Sequence, residues 1–154
     1  MELYLLRHGI AESRAISGRD ADRRLTPGGA AELRLMLKRA LGTGAQPEVI
    51  LSSPYRRTLQ TAEIASSVFS YAGEIVPASA LMPESHPSAV WTEIGCFPEA
   101  KSILLVTHEP LVSELLSWLL GTSRVGAGFP PAGIARVDLE GPPPGQLKYM
   151  LIPG

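Results

Sequence analysis

The first nine residues constrain the fold and the chemistry of this chain more than any other stretch. Residues 3–6 are three leucines and a tyrosine, a continuous apolar run that is typical of a short strand buried on both faces. The run ends abruptly at Arg7, His8 and Gly9. Arginine binds phosphate oxygens through a planar fork of donors, neutral histidine is a nitrogen nucleophile, and glycine lets the backbone approach an anion closely. Together these residues indicate phosphoryl chemistry on a histidine at the end of a strand.

Strand and helix patterns alternate along the rest of the chain, which predicts an α/β architecture with a mainly parallel sheet. The predicted strands cover residues 2–6, 49–52, 74–76, 102–107, 133–139 and 146–152, and the predicted helices cover residues 27–41, 54–69, 86–95 and 111–120. Leu111, Leu115, Trp118 and Leu119 repeat at helical spacing, so we expect them to pack on the sheet as core. The polar connection over residues 10–24 is long, which marks it as functional or mobile.

Three polar motifs follow predicted strands directly: Arg7-His8, Ser53 and His108. In open α/β sheets, ligands bind at the edge formed by the carboxyl ends of the strands. We therefore expect these residues, although they are far apart in sequence, to converge on one pocket.

Taken in order, four segments resemble the histidine phosphatase superfamily, which is named for its Arg-His-Gly motif and also contains the cofactor-dependent phosphoglycerate mutases. They are residues 3–9, 25–30, 50–62 and 104–112. The short chain without large insertions looks most like the SixA-type phosphohistidine phosphatases. The resemblance spans about residues 1–120 and implies a three-layer α/β/α fold with a central, mainly parallel, phosphoglycerate mutase-like sheet. A length of 154 residues predicts a single domain, so we expect one histidine phosphatase domain over residues 1–154.

The resemblance also implies roles for individual residues. His8 is the expected nucleophile and forms a phosphohistidine intermediate that water hydrolyses, while its other ring nitrogen donates its proton to a backbone carbonyl or another acceptor. Arg7 and Arg57 are expected to clamp the phosphoryl group. Arg57 fits the Ser-Pro-x-x-Arg pattern that begins at Ser53, whereas its neighbour Arg56 is rotated about 100° away on a helix.

The remaining site residues are assigned less directly. His108 matches the second histidine of the family and is expected to hydrogen-bond the phosphoryl group, with or without a positive charge. Gly9 is expected to serve the phosphate site through its backbone geometry. Ser53 either contacts phosphate through its hydroxyl or amide or caps the following helix. Three charged residues lie in the loop that should border the pocket, and both a surface role and a site role stay open for them: Glu12, Asp22 and Arg24.

The general acid is the least defined part of the predicted site. Phosphomonoesterases and mutases of this superfamily usually carry a carboxylic acid after the third strand, and here that region offers Glu84 and His86. An alkoxide leaving group is a strong base and needs a proton, whereas imidazole is a far better leaving group. A site without a dedicated acid would therefore favour N–P over O–P bonds, and the presence of Glu84 leaves both open.

Composition narrows the class of function. Lys+Arg number 14 against Asp+Glu 15, a formal net charge of −1, which lacks the basic footprint of a nucleic-acid binder. We expect no cofactor and no metal, because the three histidines are isolated and Cys96, the only cysteine, fits a half-buried apolar position. No apolar stretch approaches a membrane span, so a cytoplasmic location is expected.

The preferred hypothesis is a phosphatase acting on phosphohistidine of a signalling or carrier protein. The alternatives are a small-molecule phosphomonoesterase with the same His8 mechanism and, least favoured, a non-catalytic module that binds a phosphorylated ligand. Each of these hypotheses requires a phosphorylated protein or a small phosphoester as partner, and none requires nucleic acid or a membrane.

Overall fold

Six strands form one sheet in the computed structural model of the protein, which describes residues 1–123 and 128–154. They are β1 (Glu2–Arg7), β2 (Val49–Ser52), β3 (Ile75–Pro77), β4 (Ser102–Thr107), β5 (Ile134–Asp138) and β6 (Gln146–Leu151). The order across the sheet is β3-β2-β4-β1-β5-β6. The four strands β1 to β4 are parallel, whereas β5 and β6 run antiparallel to their neighbours. The prediction of a mainly parallel sheet is confirmed.

Helices cover both faces of this sheet, as the resemblance implied. They are α1 (Pro27–Gly42), α2 (Arg56–Val68), α3 (Pro87–Ile94) and α4 (Leu111–Leu120). Successive residues of a strand face opposite sides, so β1 contributes Leu3 and Leu5 to the core shared with α3 and α4. Its residues Tyr4 and Leu6 join the core shared with α1 and α2. The continuous apolar run of β1 therefore follows from a strand buried between two helical layers, which confirms the three-layer α/β/α fold.

Helix ends follow the local sequence. The Oγ1 atom of Thr26 accepts a hydrogen bond from the Gly29 amide at 2.9 Å, and Pro27 occupies the first turn of α1. The helix α4 ends at Gly121, whose φ of 68° lies in the left-handed region that glycine tolerates best. Within the part of the chain that the structure describes, no helix is both long and apolar enough to cross a membrane.

Two expectations about burial are wrong. Trp118 is 37% exposed, because it lies at the border of the apolar stripe of α4 and packs against Trp91 of α3, with ring centroids 5.9 Å apart, rather than under the sheet. Cys96 follows the end of α3 and is exposed, with its thiol 3.8 Å from the carbonyl oxygen of Thr92.

The long connection after β1 is folded back on the body of the protein. A bridge pairs Ala11 with Leu25, and a short 3-10 helix covers Asp20–Asp22. The start of this loop lies against the first turn of α1, where a Cβ atom on Gly29 would clash with the Ile10 carbonyl. Glycine is required there because two backbones approach closely.

Candidate active site

The register of the sheet places three strand ends side by side. Arg7 at the end of β1 pairs with Thr107 at the end of β4, and Ser52 at the end of β2 pairs with Val106. The residues that follow these strands therefore meet at one edge, which is the expected ligand-binding edge of an α/β sheet. His8, Ser53 and His108 are all buried there.

The side chain of His8 is held in one protonation pattern. Its Nδ1 atom lies 2.8 Å from the carbonyl oxygen of Gly9, which can only accept a hydrogen bond, so Nδ1 carries the proton. The opposite nitrogen, Nε2, lies 3.4 Å from the Nε atom of Arg57, which can only donate. Nε2 therefore presents a lone pair, and the Nδ1 partner is a backbone carbonyl.

Arg57 is fixed on three sides. Its two terminal nitrogens donate to the Asp20 backbone oxygen at 2.8 Å and to the Asp20 carboxylate at 3.1 Å. Its guanidinium carbon lies 5.0 Å from the ring centroid of Tyr55, within the range of a cation–π contact. Asp20 in turn accepts from Arg23 at 2.8 Å. This chain of contacts ties the loop after β1 to the first turn of α2.

Arg7 and His108 each bring an unpaired nitrogen to the site. Arg7 donates from Nη1 to the Phe129 carbonyl at 2.7 Å, and His108 has its Nε2 atom 2.7 Å from the Ser53 hydroxyl. The buried atoms Arg7 Nε and His108 Nδ1 have no hydrogen-bond partner within residues 1–123 and 128–154. The ring of His108 lies 5.2 Å from that of His8. Arg7 Nε is always a donor, and a buried donor without a partner in the described residues is suited to bind an oxygen of an anion.

The backbone groups of Gly9 and Ser53 are engaged inside the protein. The Gly9 amide donates to Thr61 Oγ1 at 3.2 Å, and its carbonyl holds His8. The Ser53 amide donates to the Val106 carbonyl at 3.0 Å, and its hydroxyl contacts His108 and also accepts from the Tyr55 amide at 3.3 Å. Both groups that Ser53 was expected to offer to phosphate are thus used to build the site.

Burial and cations keep both histidines neutral. Burial lowers the pKa of His8 to about 4, assisted by the nearby Arg57 and Arg7 and opposed by the bond to Gly9. Burial also lowers the pKa of His108 to about 2, with further contributions from His8 and Arg57. The possibility of a positively charged His108 is therefore not supported. The hydrogen bond from Arg23, followed by that from Arg57, lowers the pKa of Asp20, which is a carboxylate near neutral pH.

The structure shows no direct bond between the candidate acids and this cluster in the described residues. Glu84 and His86 are exposed in the segment before α3. Among the described residues, neither forms a hydrogen bond or ion pair with the residues of the site. Among the described residues, the carboxylate that forms an ion pair with Arg57 is that of Asp20, and Glu84 stays a predicted acid.

The charged loop residues border a neighbouring cavity of about 760 Å³, which is lined by Glu12, Ala15, Ile16, Ser17, Asp22, Arg24 and Arg56. Glu12 accepts from the Arg24 amide at 3.0 Å, and Asp22 pairs with Arg19 at 2.8 Å. Arg56 is exposed on this side, whereas Arg57 is buried against His8, as their spacing on α2 predicts.

Asp20 and Tyr55 belong to the site but were not predicted. Asp20 lies in the loop that length and polarity marked as functional, where nothing singled it out from its charged neighbours. Tyr55 occupies a variable position of the Ser-Pro-x-x-Arg pattern and contacts both Arg57 and His108.

The cluster is suited to transfer of a phosphoryl group through nitrogen. An unprotonated ring nitrogen lies among two arginines and a second histidine, and such donors stabilise the charge that develops on the equatorial oxygens in the transition state. In the described part of the chain, no three His, Cys, Asp or Glu side chains lie close enough together to hold a metal ion.

Comparison with known proteins gives a consistent result. A model of the histidine phosphatase superfamily (branch 1) matches residues 3–81. The phosphohistidine phosphatase SixA of Escherichia coli K12 is 29% identical over 99% of this chain and 94% of its own length. The SixA homolog of Haemophilus influenzae is 33% identical over 92% and 90% of the two chains. The structure of the protein histidine phosphatase SixA complexed with tungstate superposes with a TM-score of 0.89, at 26% identity, over 99% of this chain and 97% of that chain.

Proposed function

The chain belongs to the histidine phosphatase superfamily, and from this premise we propose that it removes phosphate from a phosphohistidine side chain of a partner protein by way of an intermediate on His8. It is a hydrolase of the phosphatase class, similar in sequence and fold to SixA phosphohistidine phosphatases. The observation that carries the proposal is the lone pair on His8 Nε2, fixed by the bond from Nδ1 to the Gly9 carbonyl and contacted by Arg57. We place the activity in the cytoplasm, on a signalling or carrier protein.

The reaction proceeds in two displacements. In the first, His8 Nε2 attacks phosphorus, the N–P bond of the substrate breaks, and the substrate imidazole leaves with its electron pair. Arg7, Arg57 and His108 donate to the phosphoryl oxygens during this step. In the second, water attacks phosphorus, the bond to Nε2 breaks, and inorganic phosphate leaves with the protons of the water. The Gly9 carbonyl keeps the His8 ring oriented in both steps.

Asp20, the carboxylate paired with Arg57 in the described residues, is not a proton donor, and this favours a phosphohistidine substrate. Asp20 is held as a carboxylate by Arg23 and Arg57, and Glu84 is exposed without a hydrogen bond to the cluster in the described residues. An alcohol leaving group would need a proton from such an acid. The imidazole of a phosphohistidine can already hold a proton near neutral pH and leaves without that help.

The test compares a histidine-phosphorylated carrier protein with p-nitrophenyl phosphate. Wild type should remove the phosphohistidine label in preference to hydrolysing the ester, and His8→Ala should abolish both activities. His86→Ala, which replaces an exposed histidine that has no hydrogen bond to the cluster in the described residues, is the matched control and should keep both. Faster turnover of the ester, or binding of the phosphoprotein without turnover, would overturn the proposal.

Glu84→Gln tests the leaving-group argument separately. This variant should leave phosphohistidine turnover unchanged, because an imidazole leaving group does not need a proton from Glu84. A sharp loss of ester hydrolysis in this variant, together with faster turnover of the ester by wild type, would identify a phosphomonoesterase with Glu84 as its acid.

A further inference from the structure

The hydroxyl of Ser53 connects the backbone to His108 in a way that fixes the direction of its hydrogen bond. Its Oγ atom accepts from the Tyr55 amide at 3.3 Å and lies 2.7 Å from His108 Nε2. A backbone N–H can only donate, so it uses one of the two acceptor sites of the hydroxyl. The remaining hydroxyl proton has one acceptor within reach among the described residues, which is His108 Nε2.

The opposite direction would leave two buried groups unpaired. If His108 Nε2 held the proton, the Ser53 hydroxyl would accept twice and its own proton would have no acceptor in a fully buried position. His108 Nδ1 would then be a buried acceptor without a donor in the described chain. Each unpaired buried polar group costs free energy, so this arrangement is disfavoured.

We propose that Ser53 is a positioning residue that holds His108 as the neutral tautomer with its proton on Nδ1. The buried Nδ1–H group, which has no partner within the described residues, then lies on the ring edge opposite Ser53 and would be satisfied by an oxygen of a bound phosphoryl group. His108 thereby acts as an uncharged donor. This last step rests on the proposed function, whereas the tautomer itself does not.

Neighbouring residues fix the positions of the Ser53 hydroxyl and the His108 ring. The Ser53 amide is bonded to the Val106 carbonyl of β4, the strand that His108 follows, so the hydroxyl and the ring are set by the same pair of neighbouring strands. The His108 ring is flanked by Tyr55, with ring centroids 4.9 Å apart and planes at 72°, and by His8 at 5.2 Å and 64°. These two edge contacts restrict rotation of the ring away from Ser53.

Nitrogen NMR of ¹⁵N-histidine-labelled protein tests the tautomer directly. At neutral pH the wild-type spectrum should show His108 with a protonated Nδ1 and an unprotonated Nε2, with His8→Asn and His86→Asn used to assign the three rings. A wild-type His108 that is protonated at Nε2, or at both nitrogens, would overturn the proposal without any change at Ser53.

Variants of the two adjacent serines separate positioning from folding. Ser53→Ala should populate the Nε2-protonated tautomer of His108, and Ser53→Thr, which keeps the hydroxyl, should restore the wild-type pattern. Ser52→Ala is the matched control, because that hydroxyl is also buried but donates to the Ser53 carbonyl. An unchanged His108 tautomer in a folded Ser53→Ala protein would contradict the assigned role.

Kinetics give the functional half of the test. Ser53→Ala should lower kcat for phosphohistidine more than it raises KM, with a loss smaller than the ~100- to 1000-fold expected for deleting an oxyanion-stabilising donor outright. Equal kcat in Ser53→Ala and wild type would refute the link to catalysis. If the wild-type protein turned over no phosphohistidine but kept the Nδ1 tautomer, the proposed function would fail and the tautomer assignment would stand.

Discussion

Acidification should destabilise the folded protein through His8. Burial, Arg57 and Arg7 lower the pKa of His8 to about 4 in the folded state, while a histidine in the unfolded chain has a pKa of about 6.5. Since the unfolded state takes up the proton first, the stability that neutral His8 provides is fully present above pH 6.5. It is lost as the pH falls from about 6.5 towards about 4.

The size of the effect follows from the two pKa values. Lowering a pKa from 6.5 to about 4 corresponds to about 3 kcal/mol in all, of which about 2 kcal/mol is already lost at pH 5. His8 is only 8% exposed, so solvent screening reduces this little. A loss of that size is a substantial part of the roughly 5–15 kcal/mol that stabilises a typical domain. His108 acts in the same direction, because its pKa is also lowered.

Urea unfolding at pH 7, 6 and 5, in buffers free of phosphate and sulfate, measures this pH-dependent loss of unfolding free energy. The Asn amide can take the place of Nδ1 against the Gly9 carbonyl, so His8→Asn removes the titrating ring with little change of shape. Between pH 7 and 5, wild type should lose about 2 kcal/mol more free energy of unfolding than His8→Asn. His86→Asn should behave as wild type. Parallel losses in wild type and His8→Asn would refute the reasoning.

Three further perturbations address Arg57 and the loop that holds it. Asp20→Asn removes the charge that orients Arg57, so turnover of a histidine-phosphorylated protein should fall about tenfold; unchanged steady-state rates would contradict this. Arg57→Gln should lower kcat/KM about 100-fold or more, while Arg56→Gln, on the exposed side of the same helix, should change kcat/KM little. Equal losses in the two variants would contradict a specific role of Arg57. Gly29→Ala should cost about 1–3 kcal/mol of unfolding free energy from its clash with the loop backbone. A Cβ atom added at Gly28 meets no atom within 4 Å, so Gly28→Ala should leave the unfolding free energy unchanged. Thermal melts of both variants measure the difference.

Most of the fold could be predicted because the strands are continuous apolar runs. The bounds of β2 and β4 agree with the sequence pattern, since each run is closed by polar residues at both ends. A strand between two helical layers must be apolar on both faces, which makes its limits visible without knowledge of its neighbours. The positions of Arg7, Ser53 and His108 at one edge then follow from the parallel arrangement alone.

The rest depends on contacts between distant segments. Asp20 lies in a loop without periodicity, and its place on Arg57 is set by how that loop folds back across α2. The exposure of Trp118 depends on how far α3 extends over α4, which no local pattern reveals. The directions of the hydrogen bonds at Ser53 likewise require the positions of Tyr55 and His108 together.

The central position of β1 also governs when the site can come into existence during synthesis. Glu2 pairs with Ser102 on one side and with Asp138 on the other, so the strand that precedes His8 is made before β4 and β5 and finds these neighbours only after they have left the ribosome. Pairing over such sequence distances is slow, and until it occurs both edges of an apolar strand are open. A nascent chain therefore passes through a period in which chaperone binding competes with aggregation at β1. The position of His8 therefore depends on strands that are synthesised well after it.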